Sequence, residues 1–277
     1  MALTEAQVAF FEAFGYLHLP GYMRDELEWI CEEHAKLFVE FDLEPDGERT
    51  VDLIPFIALS DRFTALLEHP KVRGALTPLV GEDFNYLGSD GHYYADEIDF
   101  HPDSDRHSCM SLKFGMYLDS LTQDTGCLRV IPGSHLQGPW RNQVYKWANV
   151  QVRRNTSGRD SLPELREKMP SMALENEPGD VVIFNHNTFH ASFGGNAYRR
   201  MFAINVGCRA RTEAELKDLD SFLEFTCRTG QPIYTKRMLE QASPTIMVHL
   251  EQTMERELVL WGKHRLEVHA NRRGKAA

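Results

Sequence analysis

No stretch of this 277-residue chain runs apolar for 18 positions, so no membrane-spanning helix is expected. The opening "MALTEAQVAFFEAFG" has an acidic residue early and no basic segment leading into an apolar one, which predicts no secretory leader. Cysteine is scarce. Cys31, Cys109, Cys127, Cys208 and Cys227 are odd in number and never spaced C-x-x-C, which excludes a zinc framework and predicts reduced thiols in the cytoplasm. Basic charge is in deficit as well: 30 Lys and Arg against 41 Asp and Glu leave a net charge of -11. That balance argues against nucleic acid as a partner, because phosphate binding needs clustered cations. The basic end "NRRGKAA" is short and reads as a solvated tail. Internal repeats, linkers and low-complexity tracts are absent too.

What is present is ordinary for a soluble globular protein: 42% apolar and 26% charged residues, in a chain long enough to bury a sizeable core. "TEAQVAFFEAFGYLHLPGY" reads as a helix capped by Thr4, with an apolar face of Val8, Phe10, Phe11 and Phe14, stopped by Gly15 and followed by a short strand. "RDELEWICEEHAKLFVEF" is a second amphipathic helix, and residues 62–80 continue the helical pattern up to Gly81. From about residue 83 the texture changes to short aromatic and β-branched runs: "FNYLG", "GHYYADEI", "CMSLKFGMYLD", "CLRVI", "DVVIF" and "RRMFAINVGC".

Strands so spaced, without helices between them, predict an antiparallel jelly roll rather than βαβ units. The fold class expected is mainly β with flanking helices (α+β). One domain over 1–277 would comprise a helical region to residue 82, a β core over 83–210 and C-terminal helices over 211–277. Residues 141–171, polar and interrupted, read as an insertion of the kind that forms a lid. A long C-terminal helix is expected from about Thr245 to His269, and these C-terminal helices are the place for a homodimer contact.

The chemistry concentrates in "DFHPDSDRHS". On an extended strand His101 and Asp103 project to one side, and Asp105 and His107 keep the same phase, so either pair can supply two metal ligands. A redox-active ferrous site needs two imidazoles and a carboxylate on one face, with positions left open. The third ligand comes from "NHNTFHASFGG", where His190 lies on a strand with Ser192 two places on. His186 and His190 are spaced i, i+4, but the flanks are β-like and the Glu of H-E-x-x-H is missing, so a helical zinc site is not expected. Arg199 and Arg200 open the next strand; a guanidinium there suits bidentate capture of a dicarboxylate. An iron triad with a downstream arginine implies 2-oxoglutarate as the two-electron source.

These residues, in this order, resemble the phytanoyl-CoA dioxygenase-like (PhyH) branch of the iron(II)- and 2-oxoglutarate-dependent oxygenases. The resemblance runs from "FFEAFGYLHLPGY" to about Cys208, and its most specific block is "LKFGMYLDSLTQDTGCLRVIPGSHLQG", with Pro132-Gly133-Ser134-His135. It implies a double-stranded β-helix (jelly-roll, cupin-like) core, with His101, Asp103 and His190 as iron ligands. Ser192 and Arg199 would hold the distal carboxylate of 2-oxoglutarate. The family's H-G-S-x-x-N loop is here "HASFGGN", with the arginine closer to the histidine. Arg199 or Arg200 is then the clamp; alternation sends them to opposite faces, and in similar family pairs the first usually points inward.

Parity adds weaker candidates. Lys113, Gly115 and Tyr117 share one strand face, so Lys113 either meets a carboxylate of cosubstrate or substrate inside the barrel or faces solvent. Tyr93, Tyr94, Tyr117 and Trp140 are candidates for lining a substrate pocket, and Arg141, Lys146, Arg153 and Arg154 hint at an anionic ligand. His135 reads as a turn residue. The function expected is hydroxylation or desaturation of a C–H bond of a small-molecule metabolite, using Fe(II), 2-oxoglutarate and O2 and releasing succinate and CO2. Halogenating relatives of this fold lack the carboxylate, so a retained Asp103 points away from halogenation. The competing expectation is a cupin-like metal- or small-molecule-binding protein without turnover, which gives Ser192 and Arg199 no purpose. The substrate's identity is not legible.

Overall fold

The structure is a computed structural model that describes residues 2–155, 166, 168–195 and 199–263. Helix α1 (Glu5–Phe14) opens with a reciprocal cap: the Thr4 hydroxyl accepts from the Gln7 amide, and the Gln7 side chain accepts from the Thr4 amide. Gly15, at φ 81, ends it in the left-handed region. Its expected apolar face is only partly buried. Phe11 enters the core, while Phe10 and Phe14, 39% and 42% exposed, pack against each other at the surface.

Strand β1 (Tyr16–Leu19) follows, then α2 (Leu27–Glu40), β2 (Val51–Leu53), α3 (Asp61–Thr64) and α4 (Pro70–Val80). The β region holds β3 (Asn85–Tyr94), β4 (Ile98–His101), β5 (Ser111–Tyr117) and β6 (Leu128–Val130). After α5 (Pro139–Asn155) come β7 (Met172–Leu174), β8 (Val181–Asn185), β9 (His190–Ser192) and β10 (Arg199–Gly207). Helices α6 (Glu213–Thr229), α7 (Lys236–Gln241) and α8 (Pro244–Trp261) complete the described chain.

Several expectations need correction. Most of "FNYLG" and the first half of "GHYYADEI" belong to one ten-residue strand, β3, and Ile98 at the end of the second run opens β4. Gly88, at φ 118, lies where the pairing with β10 shifts register, so it accommodates a bulge rather than ending the strand. The first part of the 141–171 segment is helical, because α5 starts at Pro139, a residue preset for the first turn; residues 156–165 and 167 lie outside the described residues. The last helix stops at Trp261, where Gly262 takes a left-handed φ of 66; positions 264–269 of the expected helix lie outside the described residues.

The cysteines are a further correction. Cys109 and Cys208 form a disulfide, and Cys31 and Cys127 are free thiols. Antiparallel pairing of Ser111 with Gly207 brings the two chain ends just outside those strands together, with Cα atoms 5.9 Å apart. Strand pairing across 99 residues leaves no mark in cysteine spacing.

All strand pairs are antiparallel. A six-stranded sheet runs β1-β8-β5-β10-β3-β2, and a four-stranded sheet runs β4-β9-β6-β7. Together they make the two sheets of a jelly roll. The short edge strands β2 and β7 were not anticipated, since three residues carry too little alternation to read. Alternation along β5 explains the layering. Leu112, Phe114 and Met116 join Phe202 and Ile204 of β10 against the helices, in a core with Phe11, Ile30, Leu37, Leu76, Leu223 and Leu250. Lys113 and Tyr117 face the space between the sheets. No helix among the described residues is long and apolar enough to cross a membrane.

Gly91 is needed where β3 crosses this core, since a Cβ there would overlap the ring of buried Phe56. Gly91→Ala is expected to cost about 1–3 kcal/mol through overpacking. A thermal melt should therefore show a midpoint several degrees lower, and an unchanged midpoint would contradict this packing.

Candidate metal centre and active site

The pairing of β4 with β9 sets His101 opposite His190, with ring centroids 4.5 Å apart. Each imidazole is oriented from behind. His101 Nδ1 bonds the Asp99 carbonyl at 2.8 Å, and His190 Nδ1 bonds the Thr188 carbonyl at 2.9 Å. Both Nε2 atoms are thereby left to face Asp103, at 3.7 Å and 3.6 Å from its Oδ1. The strand argument for Asp103 fails in detail. Strand β4 ends at His101, Pro102 cannot donate to the ladder, and Asp103 sits in the bend that follows. The three ligand atoms still lie within 4.8 Å of one another, the only such group of three among the described residues. Donors about 2 Å from one ion lie about 3–4 Å apart, so this set fits a metal ion.

The protonation states of His190 and Asp103 fit too, while in the metal-free protein His101 is drawn toward its charged form. Burial pushes the His190 pKa down to about 4, leaving the ring neutral. Burial also disfavours the Asp103 carboxylate, but Lys113 and His190 outweigh it and hold its pKa well below the usual range. Burial likewise lowers His101, yet hydrogen bonds to Asp103 and to the Asp99 carbonyl leave it raised. Lys113 Nζ lies 3.2 Å from Asp103 and 3.8 Å from Asp90. It points into the barrel rather than to solvent.

A cavity of about 100 Å³ adjoins this centre, lined by Arg199, Ser192, Lys113, Tyr94 and Tyr117 among apolar Leu128 and Phe184. Arg199 is buried and Arg200 turns the other way to pair with Asp119, as strand alternation requires. The Arg199 guanidinium donates to the Gly126 carbonyl at 2.7 Å, to Ser192 Oγ and to the Asp96 carbonyl, and its plane lies over the Tyr94 ring. No carboxylate lies within ion-pair distance of it among the described residues, although Glu97 and Asp96 attract it from further off, and its buried Nε has no hydrogen bond there. A buried cation without a direct ion pair, with a second cation close by, suits a dicarboxylate.

Other candidates lie elsewhere. Trp140 is 40% exposed, donates to the Pro132 carbonyl and packs on Trp147, so it does not line the cavity. Tyr93 packs with His34 and Phe38, away from the site. Arg141 is buried and donates to the Ser134 and Asn187 carbonyls and to Asp105, which fastens α5 to the barrel instead of meeting a ligand. Lys146 is exposed, and the side chains of Arg153 and Arg154 lie outside the description. Asp105 and His107 pair with each other, 3.3 Å apart. His135 bonds the Glu12 carbonyl, a structural contact.

Sequence reasoning missed a polar network on β3. His92 is held between Asp52 at 2.6 Å and Asp90 at 2.7 Å, and Asp90 also accepts from Asn205. Asn205 in turn meets His186, which bonds Ser111. The signal was present: Asp90, His92 and Tyr94 alternate in "SDGHYY", a polar face on a strand rich in aromatics.

The family described as phytanoyl-CoA dioxygenase (PhyH) matches residues 11–201. The chain belongs to the phytanoyl-CoA dioxygenase family. PhyH proteins are iron(II)- and 2-oxoglutarate-dependent oxygenases, and the match spans both histidines, the aspartate and Arg199 of the site. Among curated relatives, ectoine dioxygenase of Bordetella bronchiseptica is 23% identical over 216 residues, covering 69% of this chain and 70% of that protein. The Bordetella parapertussis ectoine dioxygenase matches to the same extent. Among solved structures, HygX from Streptomyces hygroscopicus, with nickel and 2-oxoglutarate bound, superposes with a TM-score of 0.57 at 20% identity, over 77% of this chain and 90% of that one. EctD from S. alaskensis gives 0.55 at 20% identity, over 74% and 77%. These structures share the fold of the present chain.

The network predicts opposite charge states for two buried histidines. Burial lowers His92, but Asp52 and Asp90 outweigh it and raise its pKa; burial pushes His186 down to about 4. A raised folded pKa means that His92 stabilises the fold fully below its unfolded value, about 6.5, and loses that contribution as pH rises through the folded value. Ring-nitrogen NMR of the metal-free protein at pH 6.5 should show His92 protonated and His186 neutral, and the reverse assignment would contradict the network.

Proposed function

We propose that the chain hydroxylates or desaturates a C–H bond of a small-molecule metabolite, with His101, Asp103 and His190 as the iron ligands and 2-oxoglutarate seated against Arg199, Ser192 and Lys113. The observation that carries this reading is the pairing of a two-histidine, one-carboxylate cluster with a buried guanidinium that has no ion pair among the described residues. When bound, the ferrous ion and 2-oxoglutarate supply oxygen activation: 2-oxoglutarate, O2 and R–H become succinate, CO2 and R–OH.

The chain's own residues do the positioning. Asp99 and Thr188 carbonyls fix which ring nitrogens face inward, and they keep the imidazoles from turning. Ser192 and the Gly126 carbonyl hold the Arg199 fork in one orientation, so that little side-chain freedom is lost when an anion docks. Leu128 and Phe184 keep water from the far carboxylate and strengthen its pairing. Asp103 fills the position that must be vacant for halide to bind, which favours hydroxylation or desaturation.

Asp103→Ala is expected to abolish turnover and the visible absorption band that Fe(II) and 2-oxoglutarate give anaerobically with the unaltered protein. Full activity in this variant would remove the assignment, and absence of the band from the unaltered protein would favour binding without turnover. Arg199→Gln removes charged hydrogen bonds worth about 1.5–3 kcal/mol, so 2-oxoglutarate should bind roughly ten- to a hundredfold more weakly by calorimetry. An unchanged affinity would move the clamp elsewhere.

We further propose one domain over the whole chain, supported by the largest of three apolar clusters, which joins Phe11 to Leu250. A homodimer through α8 is supported by its exposed Val248, Leu258 and Val259; light scattering that reads a monomer would remove it. A cytoplasmic location, also proposed, would favour the reduced form of Cys109 and Cys208.

A further inference from the structure

A second, larger chamber of about 430 Å³ opens on the other side of the metal cluster. It shares Asp90, Tyr94, His101, Asp103 and Lys113 with the smaller cavity, so the cluster sits where the two meet. If 2-oxoglutarate occupies the Arg199 side, a second small molecule can reach the cluster from this chamber. Its size falls in the range of small-molecule sites, roughly 300–1,000 Å³.

The chamber is built in part by the C-terminal region. Phe222 and Phe225 of α6 and Ile233 beyond it form an apolar wall facing the polar residues of β3. That polar floor disfavours a fatty acyl chain, which would strip water from Asp90, His92 and Lys113 without replacing its hydrogen bonds.

The charges on the wall indicate what the ligand carries. His92 is compensated by Asp52 and Asp90, and Lys113 by Asp103 and Asp90. Arg106 is the exception. It donates to Ser104 Oγ at 3.3 Å and to the Ser221 carbonyl at 3.4 Å, both long, and its guanidinium lies over the Phe222 ring. No carboxylate lies within ion-pair distance of it among the described residues: Asp218 of α6 attracts it from further off but is taken up by the Ser108 and Cys109 amides, and the buried Arg106 Nε is unbonded there. A single guanidinium without a direct ion pair, beside an apolar wall, matches a monoanion better than a phosphate dianion, which calls for further donors.

Resting on the iron and 2-oxoglutarate reading above, we propose that this chamber is the substrate site and that the substrate is a small polar metabolite carrying a carboxylate held by Arg106. Its carbon skeleton lies against Phe222 and Phe225, and the C–H to be oxidised points to the metal cluster.

The test uses the full chain loaded with nickel, which binds without turnover, and saturated with 2-oxoglutarate. Small amino acids and hydroxy acids, their matched amides, and palmitoyl-CoA are screened by thermal shift and then titrated by calorimetry. The expected result is binding of a carboxylate but not of its amide, weakened about ten- to a hundredfold by Arg106→Ala and less by Arg106→Lys. Lys217→Ala, which removes an exposed charge from α6, should leave that affinity unchanged. Equal binding of the amide, binding of palmitoyl-CoA alone, undiminished binding by a folded Arg106→Ala or Arg106→Lys protein, or no binding by any carboxylate would each overturn the proposal. Saturation with 2-oxoglutarate is verified first; failure at that step counts against the cosubstrate reading and not against the chamber.

Discussion

Asp103 and Lys113 meet inside the barrel at 3.2 Å, and the rest of the site is arranged around that ion pair. Both side chains are partly shielded from water, so each charge is costly without the other. Lys113 is shared with Asp90, Asp90 with His92 and Asn205, and His92 with Asp52. One connected polar network therefore ties β2, β3, β5 and β10 to the carboxylate beside the two histidines. A divalent ion at the cluster would take over much of the compensation of Asp103, which leaves the Lys113 charge available to an anion in the same cavity.

The two sheets divide the labour. The small sheet supplies the histidines through the β4–β9 pair, and Ser192 at the end of β9. The large sheet supplies the cations, Lys113 from β5 and Arg199 from β10. Its outer face carries none of the chemistry and is covered by helices, so the apolar and polar faces of one strand serve stability and function separately. Helix α6 belongs to both, since Leu219 and Leu223 are in the core while Phe222 and Phe225 wall the larger chamber.

Much of the site was legible because strand alternation is local. The opposite directions of Arg199 and Arg200 follow from adjacency, and the shared face of Lys113 and Tyr117 follows from the apolar phase of Leu112, Phe114 and Met116; whether that face meets the barrel or solvent was decided only by the sheet packing. Asp103 was selected on a strand geometry it does not have; the bend after Pro102 delivers it instead. Aromatic or basic character alone misled. Trp140 stays at the surface, and Arg141 is spent on carbonyls and Asp105, because composition does not tell which way a helix such as α5 faces. The β3 network was readable in "SDGHYY" but carried no spacing that demanded ligands.

The sequence by itself determined the residue types, their order and their faces: histidine and aspartate in one segment, histidine and serine in another, and an arginine opening the strand beyond. Only the tertiary structure decided their company. His101 meets His190 through the β4–β9 register, Cys109 meets Cys208 through the ends of β5 and β10, and Arg106 meets Phe222 across more than a hundred residues. Side-chain direction depends on backbone dihedrals that neighbours set, whereas contact between distant segments depends on which strands pair and on how the helices cover them.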